Sequence, residues 1–381
     1  MKPFVIYFPQ FYPTPFNDEV WGKDFTDWTL VQYANMLNSW KKMMPRRGYY
    51  DGSDSNLHLE QFSEINSAGI GGIGLYHYWF YDSHELSEVE KTLIGYSNEL
   101  NIKWFLIWAT ENWSKRWIGD ATEILSFSKN PSYKNITQHC VYLESIFSND
   151  MYFKVNGKPV FIIYNLGHFS EPAKVVDAYK QWFSDRGITL LIGQFIKNPY
   201  EASYSSIVDF NYLFEPRLFF GLGRKFRGNF SKSLFDRVQS LLGGKFINKA
   251  SILMDYLQNS NISYSYESFI SYLSSDKRQS LVDSLTSPHQ DVINFGWNNT
   301  PRYGNRFTEL RHASKTDCID VLKGSNFNKE IPLLLNAWNE WSEGAAIEPC
   351  FYNEAKYPDA ISSIKGLYNT YPDSYSLPSN I

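Results

Sequence analysis

Two glutamates, Glu340 and Glu343, stand three positions apart and alternate with the indole side chains of Trp338 and Trp341. If the chain turns helically there, the two carboxylates lie on one face. Cleavage of a glycosidic bond needs such a pair, one carboxyl to protonate the leaving oxygen and one to act as base or nucleophile. Neighbouring indole rings would favour the neutral form of Glu343, as a general acid requires. A helix whose acidic first turn is stabilised by the helix dipole explains the same residues equally well.

The chain contains several short apolar runs. Many of them are followed by aromatic, amide, imidazole or charged side chains. Aromatic rings that stack on sugar faces, together with groups that hydrogen-bond hydroxyls, are typical of carbohydrate sites. We therefore predict that the sugar subsites are lined by Tyr7, His77, Tyr78, Trp79, Glu111, Asn112, Trp113, Trp297, Asn298, Arg302, Trp338 and Asn339. Taken singly, His77 could be a hydrogen-bonded core histidine, Glu111 could pair with Lys115 or Arg116, and each tryptophan could serve packing.

Eight short apolar runs are predicted to be the strands that position these residues. Most are apolar on both faces, which is typical of parallel strands covered on both sides. The predicted strands are Phe4–Phe8, Gly71–Tyr78, Trp104–Ala109, Val160–Tyr164, Leu190–Phe195, Phe210–Phe214, Val292–Trp297 and Leu333–Ala337.

Helical spacing between these runs completes an alternating pattern. The predicted helices are Leu57–Ala68, Glu88–Leu100, Ser132–Ser148, Glu171–Arg186, Thr308–Leu322 and Asp359–Tyr368. Eight strands alternating with helices predict a (β/α)8 TIM barrel, in which the catalytic residues follow the carboxyl ends of the strands. A doubly wound open sheet is the rival fold, but no Gly-x-Gly-x-x-Gly follows an early strand.

Two segments exceed the repeat, residues 11–56 after the first strand and residues 215–291 after the sixth. Both follow the carboxyl end of a strand, so we expect them to build the walls or lid of a cleft. We predict that residues 1–381 form one catalytic barrel domain with these two insertions.

The composition narrows the classes of function. The formal charge of −4, from 36 basic and 40 acidic residues, argues against nucleic-acid binding. Three widely spaced cysteines, Cys140, Cys318 and Cys350, favour a reducing compartment. The apolar run Phe4–Phe8 is too short for a signal peptide, and no run is long enough to span a membrane. We expect a cytoplasmic protein that has no metal, since no His-Glu-x-x-His or Cys pair occurs, and no cofactor.

Several longer motifs occur in an order that resembles one protein family. The motifs Tyr7–Pro13, Trp21–Trp28, Tyr76–Phe80, Ala109–Trp113 and Asn336–Gly344 resemble those of WbsX-type proteins, which are encoded in bacterial O-antigen and capsule loci. The resemblance extends from about residue 3 to about residue 368. It implies an oligosaccharide or polysaccharide substrate, including a lipid-linked precursor.

The WbsX-type family is in turn similar to glycoside hydrolase family 99, the endo-α-1,2-mannosidases and mannanases. Those enzymes are (β/α)8 barrels that retain anomeric configuration, and the 2-hydroxyl of the substrate is thought to attack C1. By this resemblance Glu340 is the base at that hydroxyl and Glu343 is the acid at the leaving oxygen. The sequence departs from the family pattern at Asn298, Ala346 and Cys350, where the resemblance leads us to expect Asp, His and Asp.

Two alternatives to a glycosidase remain open at this point. The first is a glycosyltransferase of O-antigen or capsule biosynthesis that uses an activated donor, although no Asp-x-Asp motif is present. The second is a glycan-binding protein without catalysis, which would keep the aromatic side chains and tolerate loss of both glutamates.

Overall fold

The computed structural model gives the chain as one barrel with segments added at its carboxyl end. It describes residues 2–35, 44–81, 83–111, 113–114, 123–125, 129–222, 262–304, 307–324 and 331–350.

Among these residues, eight parallel strands close into a barrel. The first strand pairs with both the second and the eighth, with Phe4 opposite Gly72 on one side and Leu334 on the other. Every other strand pairs with its neighbours in chain order, as the predicted (β/α)8 TIM barrel requires. The strands are β1 (Phe4–Tyr7), β2 (Gly72–Phe80), β3 (Lys103–Trp108), β4 (Lys158–Ile163), β5 (Leu191–Ile196), β6 (Phe210–Phe214), β7 (His289–Asn294) and β8 (Leu334–Asn336).

Helices follow the strands and cover the barrel. They are α1 (Pro15–Trp21), α2 (Asp27–Ala34), α3 (Ser55–Ser67), α4 (Glu88–Leu100), α5 (Tyr133–Phe147), α6 (Pro172–Ser184), α7 (Tyr266–Leu273), α8 (Asp276–Asp283), α9 (Thr300–Tyr303) and α10 (Lys315–Gly324). No helix within the described ranges has the length and apolar character needed to cross a bilayer.

The strands form because their side chains are buried on both sides of the sheet. In β3, every residue from Trp104 to Trp108 is inaccessible to solvent. Transfer of such apolar surface out of water is the main stabilising contribution to the fold. Gly72 is required by close packing, because a Cβ there would lie 2.5 Å from the carbonyl oxygen of Lys103.

The predicted seventh strand, Val292–Trp297, is placed three residues too late. The strand is His289–Asn294, and Trp297–Asn298 belongs to a separate small sheet. Polar residues hid its beginning, because Asp291 is buried there in an ion pair of 2.5 Å with Arg278 of α8.

The predicted helix Thr308–Leu322 is wrong in its first part. Thr308–Leu310 is a strand that pairs with Ile262–Tyr264 and with Trp297–Asn298, and α10 begins only at Lys315. These pairings join residues far apart in sequence, so local periodicity did not show them. The predicted helix Asp359–Tyr368 lies outside the described residues.

Parts of both predicted insertions lie at the carboxyl end of the barrel. The first contains α1 and α2, while the described part of the second contains α7 and α8. Helices α2 and α9 both pack against the 3-10 turn Trp341–Glu343 that follows β8. The first insertion therefore lies beside the two glutamates.

Candidate active site

The chain after β8 forms a tight turn that carries both glutamates. Glu340 precedes a single 3-10 turn, Trp341–Glu343, which ends at Gly344 with a φ of +61°. A Cβ at Gly344 would lie 2.8 Å from the backbone of Asn298, so glycine is required there. Residues three apart in a 3-10 turn project to the same side, so the two carboxylates are neighbours. The helical turn expected from the sequence is thus a 3-10 turn.

One guanidinium group joins the two glutamates. Arg302 of α9 donates from Nη2 to Oε1 of Glu340 at 2.7 Å, and its Nη1 lies 3.0 Å from Oε1 of Glu343. Its Nε donates to the hydroxyl of Ser342 at 2.8 Å, which fixes the plane of the group. Charge-assisted contacts of this forked kind orient carboxylates well. Arg302 therefore sets the relative position of Glu340 and Glu343.

Two further charged side chains complete the group. Arg217, just after β6, donates from Nη2 to Oε1 of Glu343 at 2.9 Å. Asp27 of α2 is buried, with its Oδ1 3.9 Å from Nη2 of Arg302. Arg217 is the most open of these side chains, with 34% of its surface exposed, whereas Glu343 keeps only 8%. The carboxylates are thus buried, and Arg217 is the member of the group that lies nearest to solvent.

The electrostatic surroundings of the two glutamates differ. Burial raises the pKa of Glu340 well above its usual value, Arg302 opposes this rise, and the nearby charge of Glu343 adds to it. Burial likewise raises the pKa of Asp27, against the effect of Arg302. Glu343 instead contacts two guanidinium groups. The apolar surroundings expected for Glu343 are therefore wrong, because arginines rather than indole rings surround its carboxylate.

Tyrosines on the inner face of the barrel lie close to the glutamates. Tyr76 and Tyr78 of β2 and Tyr164 after β4 are buried, and the ring of Tyr76 is 5.7 Å from that of Tyr164. Burial raises the pKa of all three hydroxyls, and the charge of Glu340 adds to the rise for Tyr76 and Tyr78. These hydroxyls therefore stay protonated at neutral pH and can donate hydrogen bonds.

Glu111 lies further out, at the carboxyl end of β3, with half of its side chain exposed. Its Oε1 is 3.6 Å from Nζ of Lys197, which follows β5. The ammonium group of Lys197 is buried over the ring of Tyr164 at 3.6 Å. Burial lowers the pKa of Lys197, and the charges of Glu111 and Glu201 oppose the shift. The predicted residue Glu111 thus lies at the rim of the site.

Three predicted lining residues point away from the inside of the barrel. Tyr7 donates its hydroxyl to Gln61 and packs against Phe62, both of α3. His77 and Trp79 contact residues of α4 and α5 instead of the glutamates. Successive side chains of a strand alternate between its faces, so Tyr78 cannot share a face with His77 and Trp79. The placement of Tyr7, His77 and Trp79 in sugar subsites is corrected accordingly.

Four other predicted residues are buried or bonded to neighbouring protein groups. Asn339 clamps the end of β1, since its amide accepts from the backbone N–H of Phe8 and donates to the carbonyl of Phe8, both at 2.8 Å. Asn298 accepts from the hydroxyl of Thr300 at 2.6 Å. Trp338 and Trp297 are almost completely buried. In this conformation, these residues support the site and do not present a surface to a ligand.

The remaining predictions concern positions that the structure describes little or not at all. Asn112 lies outside the described residues, and only the backbone of Trp113 is described, in the short strand Trp113–Ser114. Ala346 and Cys350, where the sequence departs from the expected pattern, are both completely buried.

Asp27, Arg217, Tyr76 and Tyr164 lie near the two glutamates but are not among the predicted lining residues. Tyr76 is two positions from Tyr78, so the alternation of β2 would have indicated it. Tyr164 directly follows β4, and Arg217 lies three residues after the end of β6, where the rule for catalytic barrels places functional residues. For Asp27, the only indication in the sequence was its position in the motif Trp21–Trp28.

Comparison with known protein families shows which family the chain belongs to. Residues 3–361 match the family described as Glycosyltransferase WbsX. The chain belongs to this family. Two curated relatives, both called uncharacterized protein WxcX and both from Xanthomonas campestris pv. campestris, are 25% identical over 361 residues and 24% identical over 360. Each match covers 90% of this chain but 46% of the relative, so the chain spans about half the length of these proteins.

Solved structures of family 99 glycoside hydrolases resemble this WbsX family chain in fold. The GH99 endo-α-mannosidase from Bacteroides thetaiotaomicron is 12% identical with a TM-score of 0.56, and the match covers 98% of both chains. The same enzyme in complex with bis-tris propane gives a TM-score of 0.54 over 99% of both chains. A glycoside hydrolase-like protein is 15% identical with a TM-score of 0.55, over 97% of this chain and 93% of the other. These likenesses show the fold of the chain, and the family match shows that it is a WbsX family member.

Proposed function

We propose that this WbsX family member cleaves or transfers a glycosidic bond with retention of anomeric configuration. The observation that carries the proposal is the bridging of Glu340 and Glu343 by Arg302 at the carboxyl end of the barrel. Two neighbouring carboxyls are the groups that proton transfer at a glycosidic oxygen requires.

The two glutamates would divide the proton transfer between them. In the route suggested by family 99, the 2-hydroxyl of the sugar attacks C1 while one carboxylate accepts its proton. The second carboxyl gives a proton to the leaving oxygen, and a hydroxyl of water or of an acceptor sugar then opens the anhydro ring. The resemblance assigns Glu340 as base and Glu343 as acid. Burial raises the pKa of Glu340, so before a ligand binds this carboxyl holds a proton more readily than an exposed glutamate.

The resting arrangement must therefore change when a sugar binds. For Glu340 to accept a proton, its charged form has to be stabilised, and Arg302 already donates to it at 2.7 Å. For Glu343 to give a proton, its contacts with Arg217 and Arg302 have to weaken. Because Arg217 is partly exposed, movement of Arg217 onto the sugar would remove one of these contacts. The tyrosine hydroxyls of Tyr76 and Tyr78 would hydrogen-bond the sugar beside them.

The proposed substrate is an oligosaccharide of a bacterial surface polysaccharide or its lipid-linked precursor. This assignment rests on the WbsX family and on the endo-α-mannosidase fold of the solved relatives. Hydrolysis gives water the role of acceptor, and transglycosylation gives it to a second sugar.

The test is turnover of a panel of α-linked manno-oligosaccharides and isolated O-antigen oligosaccharides by the wild-type chain and by Glu343→Gln. We expect turnover to fall by at least ~10²-fold, the usual contribution of general acid catalysis. Proton NMR of the first product would show the retained anomer. Glu99→Gln, on the exposed side of α4, is the matched control. Wild-type activity in both Glu343→Gln and Glu340→Gln would contradict the proposal.

A glycosyltransferase is the second candidate, favoured by the family description itself. Ligands that bind only the native state raise the melting temperature, so thermal shifts with sugar nucleotides and with free oligosaccharides distinguish the two. A shift with a sugar nucleotide, together with transfer of its sugar to an acceptor, would favour the transferase.

A further inference from the structure

A second cluster of polar side chains lies on the outer face of β2, on the side opposite Tyr76 and Tyr78. It consists of His77 of β2, His84 of the short strand Ser83–Glu85, and Glu90 of α4. His77 and Glu90 are almost completely buried, and 19% of the His84 side chain remains exposed. None of the three belongs to the group of charged side chains around Glu340 and Glu343 described above.

The ligand atoms of this cluster have the spacing of a metal site. His77 Nδ1 lies 2.9 Å and His84 Nε2 lies 3.5 Å from the same oxygen, Oε2 of Glu90. All three atoms lie within 4.8 Å of one another. Tetrahedral zinc with bonds of about 2.1 Å requires ligand atoms about 3.4 Å apart, so small side-chain rotations suffice.

Two groups of the cluster are buried with few polar partners in the described part of the chain. The Nε2 atom of His84 is buried and reaches Oε2 of Glu90 only at the long distance of 3.5 Å. The carboxylate of Glu90 is also buried, and in the described part of the chain its ion-pair partners are imidazoles, without a lysine or arginine. Burying a charge is costly unless an opposite charge accompanies it. A bound cation would satisfy both groups.

Further side chains hold the three in position. His77 Nε2 lies 3.0 Å from Nε2 of His139, and Nδ1 of His139 lies 2.8 Å from the hydroxyl of Tyr179. Tyr142 donates its hydroxyl to the other oxygen of Glu90. Ligating histidines commonly donate their second N–H in this way, which fixes the tautomer and the orientation of the ring. Burial also lowers the pKa of His77 and of His139, which favours the neutral imidazole that binds metals.

We propose that His77, His84 and Glu90 bind one divalent transition-metal ion of the zinc class. The set of two imidazole nitrogens and one carboxylate oxygen is typical of such ions, and water would take the remaining position beside the partly exposed His84. The ion would fix the outer face of β2, whose inner face carries Tyr76 and Tyr78. The site is thus a binding site separate from the proposed sugar chemistry, and it does not depend on that function.

The test uses the full chain after treatment with a chelator and dialysis, titrated with Zn²⁺ by calorimetry. We expect about one equivalent to bind and the melting temperature to rise, because the ion binds only the folded site. In His84→Gln we expect at least ~10-fold weaker binding, since one of three ligands is lost. His168→Gln, a change of a histidine outside the cluster, should bind like the wild type.

Cobalt provides a readout that does not depend on any variant. Co²⁺ in a tetrahedral or five-coordinate site of nitrogen and oxygen ligands has visible d–d absorption that octahedral Co²⁺ in water nearly lacks. Weak absorption in the wild type, failure to bind Zn²⁺, or equal affinity in His84→Gln and wild type would each overturn the proposal. The melting curve of metal-free His84→Gln establishes that the variant is folded.

Discussion

Arg302 contacts Glu340 at 2.7 Å through the same guanidinium group that lies 3.0 Å from Glu343. A planar fork with two terminal nitrogens can reach two carboxylates at once, whereas the ammonium of a lysine is a single point charge. The separation of the glutamates therefore depends on this residue. Neither glutamate is oriented independently of the other.

Arg302→Lys should therefore lower kcat/KM by at least ~10-fold, equivalent to about 1.4 kcal/mol of transition-state stabilisation. Lysine keeps the positive charge of the arginine that it replaces. A larger fall in kcat/KM for Arg302→Lys than for the exposed control Arg311→Lys would therefore reflect loss of the contact between one planar group and both carboxylates. Steady-state kinetics and melting temperature of the two variants provide the comparison. Equal kcat/KM in Arg302→Lys and wild type would mean that the fork is not needed.

Asp27→Asn tests the influence of the buried third carboxyl. The charge of Asp27 contributes to the raised pKa of Glu340, although burial is the larger cause. Removing that charge should lower the pKa of Glu340 and move the limb of the pH–rate profile that reports it to lower pH. The measurement is kcat/KM against pH for both proteins. If this limb stays at the same pH or moves to higher pH, the charge of Asp27 does not raise the pKa of Glu340.

Adjacent residues of β2 should respond in opposite ways to substitution. Tyr78 faces the inside of the barrel, and its pKa is raised partly by the charge of Glu340, whereas Trp79 stacks on His139 at 4.8 Å on the outer face. Tyr78→Phe should lower kcat/KM with little change in melting temperature. Trp79→Leu should lower stability by about 1–3 kcal/mol through lost aromatic packing, with kcat/KM retained in the folded protein. The reverse pattern would contradict the assignment of faces.

This contrast shows how far the sequence predicts the site. Most strand ends were predicted well, with β6 found at the predicted bounds Phe210–Phe214, although β7 was placed three residues too late. The run His77–Tyr78–Trp79 was nevertheless assigned to one surface, although the period of a strand separates its members. Local patterns locate the carboxyl ends of strands, but the face of each residue requires the register as well.

Contacts between distant segments were beyond prediction for a different reason. Asp27 reaches Arg302 from the first insertion, and Arg217 reaches Glu343 from the start of the second. No periodicity links these positions, because their proximity results from closure of the whole barrel. The cluster of His77, His84 and Glu90 likewise joins β2, a short strand and α4, and its spacing matches no metal motif.

Glu348 is a buried carboxyl that contacts the 3-10 turn Trp341–Glu343. It accepts hydrogen bonds from Gln61 at 2.7 Å, from Tyr50 at 2.9 Å and from the indole N–H of Trp341 at 3.1 Å. Burial nevertheless raises the pKa of Glu348 to about 7, since these donors and Arg47 only partly offset desolvation. Ionisation of Glu348 therefore opposes folding near neutral pH.

The direction in which stability changes with pH follows from the linkage between protonation and folding. The folded pKa lies above the unfolded value, so between about pH 4.5 and pH 7 the folded state binds more protons, and stability falls as pH rises. A shift of this size corresponds to at most about 3 kcal/mol. Burial raises the pKa of Glu215 to about 7 as well, so both residues contribute to the slope in the wild type.

Glu348→Gln should therefore remove one part of this pH dependence while leaving the parts due to Glu215, Glu340 and Asp27, whose pKa values are also raised by burial. Urea unfolding at a series of pH values gives the free energy of unfolding for the wild type, Glu348→Gln and the exposed control Glu99→Gln. The amide lowers stability at every pH, because its N–H₂ replaces an acceptor, so the slope and not the absolute value is the diagnostic quantity. If the free energy of unfolding falls with pH as steeply in Glu348→Gln as in Glu99→Gln, Glu348 does not titrate between about pH 4.5 and pH 7.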